Sequence, residues 1–256
     1  MNKTMISIIT PAYNASRYLR ECIKSVLAQS DKRWEMIIVN DASTDDTLSI
    51  IEEYVQKDSR IKCISLPNNG GIANARNTGL IHAQGRYVAF LDSDDCWRVD
   101  KLQKQLDFML KNQAAFVFSS YQIMDENSVR SKQVISAPDK VTFSDLIRAN
   151  YIGCLTVMID TEVVRSLTFP KIKHEDFACW LSVLHSGIVA FGQDEILADY
   201  RKSFSSTSGN KVRAIGWVWN IFRNHLHLSL IKALLYTIRY AFNTLHKYSK
   251  SKEVRV

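Results

Sequence analysis

Short apolar runs alternate with amphipathic stretches along the first half of the chain. Between these runs, apolar residues recur at the spacing of a helix that buries one face, as in Leu19, Ile23 and Val26. Apolar strands that alternate with such helices predict an α/β fold, in which helices cover both faces of a mainly parallel sheet. The predicted strands are Ile6–Ile9, Met36–Val39, Ile61–Leu66 and Tyr87–Leu91.

The alternation becomes less regular after Trp97. We expect further elements in this order: a helix over 99–110, a strand over 116–121, a hairpin or loop over 125–140, a strand over 155–159, a helix over 174–185 and a strand over 196–200. A stretch rich in Ser, Thr, Gly and Asn follows at 203–210 and predicts a boundary. The chain is therefore expected to consist of a domain over 1–210, itself divided near residue 98, and a tail over 211–256.

Positive charge is concentrated in this tail. The formal net charge of the chain is +7, yet residues 211–256 hold nine Lys or Arg and one acid, which leaves 24 basic and 25 acidic residues for the rest. A near-neutral body with a basic tail indicates an anionic surface near the tail and disfavours a nucleic-acid-binding protein. Apolar residues recur at helical spacing there: Ile231, Leu234, Leu235, Ile238, Phe242 and Leu245.

Two interpretations of the tail helix remain open. It lies either in a membrane interface, with its cations toward anionic lipid, or against the domain with an ordinary solvated basic face. Lys232 and Arg239 interrupt any membrane span.

The cysteines and the first residues bear on the cellular compartment. Five scattered cysteines are an odd number without a C-x-x-C pair, so a disulfide framework and a structural zinc site are both disfavoured. The short apolar run after Met5 begins too early for a signal peptide. We therefore expect a protein of the reducing cytoplasm.

Polar residues follow the predicted strands at the points where they end. Thr10–Asn14 follows the first strand, Asn40–Asp46 the second and Asp92–Asp95 the fourth. In an open parallel sheet these strand ends share one rim, where ligands bind. Three carboxylates within four residues repel one another unless a cation lies between them, and oxygen ligands suit Mg²⁺ or Mn²⁺. The alternative is a turn that caps the helix near Val99.

The remaining candidate residues have functional and structural interpretations side by side. Asp41 is available for the edge of a base if Asp45 caps the next helix, and Tyr13 either stacks on that base or packs under its loop. Arg76 follows the glycines of Asn69–Gly71 and either reaches a phosphate or is an ordinary surface residue.

Glu175 and Asp176 open a predicted helix. Interaction of acids with the helix dipole is sufficient to explain them, and a general base is the functional interpretation.

Together these segments resemble the family 2 glycosyltransferases of GT-A fold. The resemblance is carried by Thr10–Asn14, Val39–Asp45, Asn69–Gly79 and Leu91–Asp95, in the order and spacing of that family. It implies a nucleotide-sugar-binding part over 1–98 and an acceptor-binding part over 99–210.

The resemblance also implies roles for individual residues. Thr10, Pro11, Tyr13 and Asp41 would hold the nucleoside, usually uridine, and Arg76 the diphosphate. Asp92 and Asp94 would form the D-x-D motif that touches ribose and metal: Asp92 and Ser93 would bind the donor, and Asp94, with Asp95 close by, would bind the metal. Asp176, or else Glu175, would be the catalytic base, and the reaction would invert the anomeric configuration.

A departure from the pattern favours transfer of a single sugar. Processive members carry Q-x-x-R-W and several membrane spans. The nearest stretch here, Arg213–Trp217, has neither Gln nor Arg at the matching positions. The expected protein transfers one sugar from a UDP-sugar or related donor to a hydroxyl of a polyprenyl-diphosphate-linked glycan in O-antigen, capsule or other cell-surface polysaccharide synthesis. It would work with Mn²⁺ or Mg²⁺ at the inner face of the cell membrane.

Two other classes are weighed against this interpretation. A nucleotidyltransferase would carry a Gly-rich loop after its first strand, and Thr10–Asn14 has no glycine. A non-catalytic membrane-associated binder of nucleotide sugars would be expected to lose its carboxylates, and Asp92, Asp94 and Asp176 are present.

Overall fold

The computed structural model describes residues 5–202 and 211–249. The predicted boundary at 203–210, the tail residues 250–256 and the side chain of Leu245 lie outside this description. The strands are β1 (Ile6–Ala12), β2 (Trp34–Asn40), β3 (Ile61–Ser65), β4 (Tyr87–Phe90), β5 (Cys96–Trp97), β6 (Phe116–Met124), β7 (Arg130–Ile135), β8 (Lys140–Val141), β9 (Met158–Asp160) and β10 (Ala190–Arg201). The α-helices are α1 (Leu19–Leu27), α2 (Thr47–Lys57), α3 (Ile72–His82), α4 (Lys101–Asn112), α5 (Phe143–Leu146), α6 (Glu175–His185), α7 (Lys211–Asn220) and α8 (Leu230–Ser249).

One sheet runs through the described part of the chain in the order β3-β2-β1-β4-β9-β6-β10-β5. The first four strands of this order are parallel, as the apolar runs predicted. Their carboxyl ends therefore lie on one edge of the sheet, which we call the rim. The second half is mixed, because β9 pairs antiparallel with both β4 and β6 while β10 runs parallel to β6.

Several boundaries in the second half differ from the prediction. The strand expected over 155–159 is shorter, because Cys154–Thr156 forms a 3₁₀ turn before β9. The last strand begins at Ala190 rather than at residue 196, because backbone pairing with β6 recruits a polar stretch and breaks its register near Gln193. The segment 125–140 contains β7, which closes a hairpin on β6.

Helices cover both faces of the sheet. Helices α1, α2 and α4 pack on one face around Ile8 and Met36, and α3 and α6 pack on the other face. Trp180 of α6 lies at the centre of the second face, where its ring centroid is 5.7 Å from that of Phe90 and 5.3 Å from that of Phe116. This packing fixes the first turn of α6 above the rim.

The tail packs on the domain through one face of α8. Tyr240 contacts Phe177 of α6 with ring centroids 5.4 Å apart, and a π-helical turn over Ile221–His225 places Phe222 beside both rings. Ala233 and Thr237 are buried on the same face of α8. In the described residues, no helix has the length and apolar character needed to cross a membrane.

A buried lysine lies at the start of α4. The ammonium of Lys101 donates to Gln105 Oε1 at 2.5 Å and lies 4.1 Å from the centroid of the Trp97 ring. Its side chain is inaccessible to solvent, and this burial lowers the pKa of Lys101 to about 7.

We expect Lys101→Met to flatten the pH dependence of the free energy of unfolding. Between pH 8 and 10 the unfolded chain holds a proton on Lys101 that the folded chain has released, so the native protein gains stability as pH rises. The wild-type value should rise relative to that of the variant by up to about 1.4 kcal/mol per pH unit. Urea unfolding of both proteins at several pH values measures this, and a constant difference would contradict it.

Candidate active site

The loops that follow β1 and β2 are joined to each other by side chains. Asn14, whose φ is +47°, accepts a hydrogen bond from the backbone N–H of Thr44 at 2.8 Å. The carboxylate of Asp45 accepts from the backbone N–H groups of Ser16 and Thr47. Partial desolvation opposes ionisation, but hydrogen bonds from the side chains of Ser16 and Thr47, together with these backbone bonds, outweigh it and lower the pKa of Asp45 to about 2. The N-cap position of α2 is Asp46, one residue later than expected, but the side chain of Asp46 makes no capping hydrogen bond, and Asp45 accepts from the N–H of Thr47, the first helical residue.

Asp41 organises the glycine loop that follows β3. Its two carboxylate oxygens accept from the backbone N–H groups of Gly70 and Gly71, each at 2.8 Å. Gly71 has a φ of +81°, and a Cβ on Gly70 would lie 2.5 Å from the side-chain nitrogen of Asn74. Both positions therefore favour glycine, and the buried Asp41 holds the loop at the rim.

The other predicted nucleoside-binding residues line the end of β1. Thr10 and Pro11 are buried, whereas Tyr13 is 51% exposed. Thr10 Oγ1 is buried without a hydrogen-bond partner among the described residues. The structure thus places Tyr13 where a flat ring can be reached from solvent.

The four residues after β4 divide between the rim and the interior. Asp94 is exposed at the rim, Asp92 and Ser93 are partly exposed, and Asp95 is buried. Two effects raise the pKa of Asp94 to about 6: desolvation by the surrounding residues, which is the larger, and repulsion from the negative charge of Asp92. Asp95 accepts from the backbone N–H of Arg201 at 2.7 Å, and burial raises its pKa well above the ordinary value.

Arg76 lies in the interior between the rim and α6. Its guanidinium donates to Asp92 Oδ1 and to Glu175 Oε1, both at 2.6 Å, and its side chain is 2% exposed. The alternative of an ordinary surface arginine is therefore wrong. Because a buried cation requires anionic partners, this contact draws the D-x-D segment and the start of α6 together.

The two acids that open α6 differ in their surroundings. Glu175 is paired with Arg76, and desolvation together with the charge of Asp176 raises the pKa of Glu175. Asp176 is partly exposed, and its Oδ1 accepts from the backbone N–H of Phe177 at 2.7 Å. It has no ion pair within residues 5–202 and 211–249. Asp176 therefore has the freer carboxylate of the two.

Sequence reasoning missed Arg201 at the end of β10. This buried guanidinium donates to the carbonyl oxygen of Asp94 at 2.6 Å and to Glu21 Oε2 at 2.7 Å. The Cζ atom of Arg201 also lies 4.2 Å from the centroid of the Tyr18 ring. Arg201 thus holds the backbone of the D-x-D segment from behind.

Nothing in the local sequence of β10 indicates these contacts, because their partners lie far away in the chain.

A comparison with protein families decides the identity of this arrangement. The model of glycosyl transferase family 2 matches residues 7–164, which is more than half of the chain and includes the segments that follow β1, β2, β3 and β4. The start of α6 and Arg201 lie outside the matched range. The chain belongs to this family. It is therefore a glycosyltransferase, and the expected GT-A fold and enzyme class are confirmed.

Relatives in family 2 match over nearly their full length. A candidate teichuronic acid biosynthesis glycosyltransferase of Bacillus subtilis, TuaG, is 45% identical, with 96% of this chain and 98% of that protein covered. The UDP-Glc:alpha-D-GlcNAc-diphosphoundecaprenol beta-1,3-glucosyltransferase WfgD of Escherichia coli is 37% identical, with 97% of each chain covered.

Solved structures of other glycosyltransferases share the fold. S. aureus TarS in complex with UDP-GlcNAc superimposes with a TM-score of 0.71 at 21% identity, over 96% of this chain and 73% of that one. The mannosyltransferase PcManGT of Pyrobaculum calidifontis, in complex with GDP-Man and Mn²⁺, has a TM-score of 0.70 at 18% identity with the same coverage. At such identities these matches show the fold alone.

Proposed function

We propose that this family 2 enzyme transfers a single sugar, with inversion, from a UDP-sugar to a hydroxyl of a glycan carried on a polyprenyl diphosphate. The observation that carries the proposal is the link through Arg76, which joins Asp92 at the donor side of the rim to Glu175, the neighbour of Asp176 in α6. Donor and acceptor groups can then be held on the two sides of one reacting carbon. WfgD, which is named for transfer from UDP-Glc to an acceptor linked to diphosphoundecaprenol, supports these substrate classes.

The nucleoside would bind at the ends of β1 and β2. Tyr13 offers an exposed ring for stacking on the base, and the orphaned hydroxyl of Thr10 offers a buried hydrogen-bonding group. Asp41 would act on the same pocket by fixing the glycine loop, since both its oxygens hold backbone N–H groups. We therefore propose two roles for Asp41: it fixes the shape of the pocket through the glycine loop, and it contacts the edge of the base.

Two carboxylates at the rim fit a divalent cation. Asp92 keeps one oxygen free of Arg76, and Asp94 is exposed beside it. Among the described residues no group of three or more His, Cys, Asp or Glu side chains forms a ready metal site. This donor set suits Mn²⁺ or Mg²⁺, which take one or two carboxylates and complete their shell with substrate phosphates and water.

A cation bound there would neutralise the charge that develops on the leaving diphosphate. Asp95 points into the interior, so we assign it to the support of the turn rather than to the ligand set.

Asp176 is the proposed general base. Its carboxylate would accept the proton of the acceptor hydroxyl as the oxygen attacks the anomeric carbon, opposite the departing diphosphate. Attack from that side inverts the configuration at the carbon. Glu175 is committed to Arg76 and would instead hold the start of α6 in position.

We expect Arg76→Lys to lower kcat about 10- to 100-fold with little change in the KM of the donor. A lysine keeps the charge but lacks the planar fork that reaches Asp92 and Glu175 together, so the two carboxylates would lose their relative placement. Steady-state kinetics with a varied donor concentration measures both constants. A tenfold rise in KM at unchanged kcat would instead indicate that Arg76 contacts the diphosphate directly.

A product assay tests the proposed reaction. Purified protein and Mn²⁺ are combined with a panel of nucleotide sugars and with GlcNAc-diphospholipid or free GlcNAc as the acceptor. We expect one added sugar on the diphospholipid, from a UDP-sugar, with an anomeric configuration opposite to that of the donor. A ladder of products, retention of configuration, or equal use of free GlcNAc would each overturn the corresponding part of the proposal.

The proposed acceptor places the enzyme at a membrane surface. A polyprenyl diphosphate stays in the bilayer, so the active site must approach the headgroup region from the side where nucleotide sugars are available. We propose peripheral attachment at the inner face of the cell membrane through the basic tail, residues 211–256, as the excess of positive charge there suggests.

A further inference from the structure

The outer face of α8 is an apolar stripe whose side chains belong to none of the hydrophobic core clusters of the described residues. Its members are 51% to 73% exposed and lie on one side of the helix: Leu230, Ile231, Leu234, Leu235, Ile238 and Phe242. The face on the opposite side, with Ala233, Thr237 and Tyr240, is packed on the domain. Thus α8 is anchored by one face and presents the other face outward.

A shallow, open depression in the surface of α8, called the Lys232/Arg239 cavity, flanks this stripe, and both of its cations are exposed. It has a volume of about 300 Å³ and is lined by Lys232, Leu235, Tyr236 and Arg239. These residues are three, four and seven positions apart, so they form a single patch on the side of the helix between its packed and exposed faces. Two cations at the edge of an apolar stripe match the arrangement of an interface, where alkyl groups enter the hydrocarbon boundary and cations stay with the phosphates.

Charge complementarity selects an anionic lipid surface as the occupant. No Asp or Glu occurs between Lys211 and Ser249, so no carboxylate of this segment opposes the approach of phosphate groups. A second copy of the chain would bring the same cations against one another. A bilayer meets both features at once, since it offers apolar depth beside a layer of negative charge.

We infer that α8 lies in the plane of an anionic leaflet, with the stripe in the headgroup boundary and the Lys232/Arg239 cavity holding a lipid phosphate. This inference rests on the proposed use of a membrane-held acceptor and adds the residues and the orientation.

The orientation is connected to the proposed catalytic side. Trp217 of α7 packs on the ring of His174, with centroids 5.2 Å apart, and His174 is the residue that precedes α6. Phe177, next to Asp176, packs on Tyr240 of α8. A helix docked on the leaflet would therefore support the start of α6 from the membrane side, where a lipid-linked acceptor arrives.

Vesicle flotation with two pairs of substitutions tests the inference. We expect Lys232→Gln with Arg239→Gln to weaken binding to phosphatidylglycerol vesicles by about fivefold for each lost charge, or roughly 25-fold together. We expect Ile238→Gln with Phe242→Gln to weaken it at least about 100-fold. Glutamine is a good helix former, and none of the four positions belongs to the packed face, so the melting temperature should stay unchanged.

A matched control removes the same charge elsewhere. Lys24 and Lys111 are exposed on the body of the domain, and the double change to glutamine there should leave vesicle binding within about twofold of wild type. Equal losses in the control and in the α8 cation variant would overturn the specific cavity and leave only a net-charge effect. Binding to phosphatidylcholine as strong as to phosphatidylglycerol would also overturn it.

Two further measurements separate the inference from its rivals and from the proposed reaction. Sedimentation of the free protein should show one species in wild type and in the stripe variant; a wild-type dimer lost in that variant would assign the stripe to a second copy. Inorganic phosphate that binds the cavity while vesicles do not would assign it to a soluble anion. Hydrolysis of the donor in solution should be unaffected in all these variants, so a failure of the proposed reaction would not be mistaken for a failure of docking.

Discussion

Replacing Asp176 with asparagine is expected to lower kcat about 10²- to 10⁴-fold while the affinity for the donor stays within about twofold. The amide keeps the size of the side chain and its contact with the Phe177 N–H, but it cannot accept the acceptor's proton. Because the donor is proposed to bind at the other side of the rim, its affinity should not respond. Single-turnover kinetics and calorimetric titration with UDP measure the two quantities separately.

Two companion variants show whether Asp176 or its neighbour is the base. Glu175→Gln breaks an ion pair with the buried Arg76, so it should lower both the stability and kcat, whereas Asp176→Asn should leave the melting temperature nearly unchanged. Asp107→Asn changes an exposed carboxylate on α4 and should behave like wild type. Full activity of Asp176→Asn together with a stable but inactive Glu175→Gln would transfer the role to Glu175.

Replacing Asp94 with asparagine is expected to lower kcat/KM at least about 10³-fold and to abolish the response to added Mn²⁺. An amide has no charge with which to bind the cation beside Asp92, so the leaving diphosphate would lose its counter-charge. The side chain is exposed, so the fold should tolerate the change. Rates measured over a range of Mn²⁺ concentrations test both parts of this prediction.

Asp95→Asn is the matched comparison for this variant. Burial raises the pKa of Asp95 well above the ordinary value, which favours the neutral acid, and an amide oxygen can still accept from the Arg201 N–H. The variant should therefore keep its response to Mn²⁺. If instead both substitutions removed that response, Asp95 would be a ligand, as the family resemblance implied.

The sequence was sufficient to predict the rim. Short apolar runs such as Met36–Val39, rich in β-branched residues, favour buried strands. Parallel strands bring the residues after their ends together, which is how Asp41 and Asp92 become neighbours of one site. The period of the apolar residues likewise predicted a helix over 174–185, and α6 begins one residue later, with His174 at the N-cap position. These features depend on local patterns, which a single sequence contains.

Contacts between segments that are distant in the chain could not be predicted from local patterns. Arg76 resembles a surface residue in its local sequence, and only the approach of α6 to the rim encloses it between Asp92 and Glu175. The buried Arg201 depends on Glu21, which lies 180 positions earlier in the chain. Such ion pairs are decided by tertiary packing, so no spacing rule reveals them.

Helix α8 of the tail has two different faces, and each fits one of the two interpretations of this helix. The predicted stripe from Ile231 to Phe242 is the face with the largest apolar side chains, and it is exposed. The face that packs on the domain uses Ala233, Thr237 and Tyr240, whose small or polar groups do not produce a strong apolar pattern. Packing of α8 on the domain therefore accounts for only one of its faces.

Titration calorimetry with UDP, performed with Mn²⁺ and again with a chelator, tests the central claim that carboxylates at the rim hold a diphosphate through a cation. Wild-type protein should bind UDP at least about tenfold more tightly with Mn²⁺, and Asp94→Asn should bind it equally in both conditions. Equal affinity of the wild-type protein for UDP with and without the metal would contradict the claim.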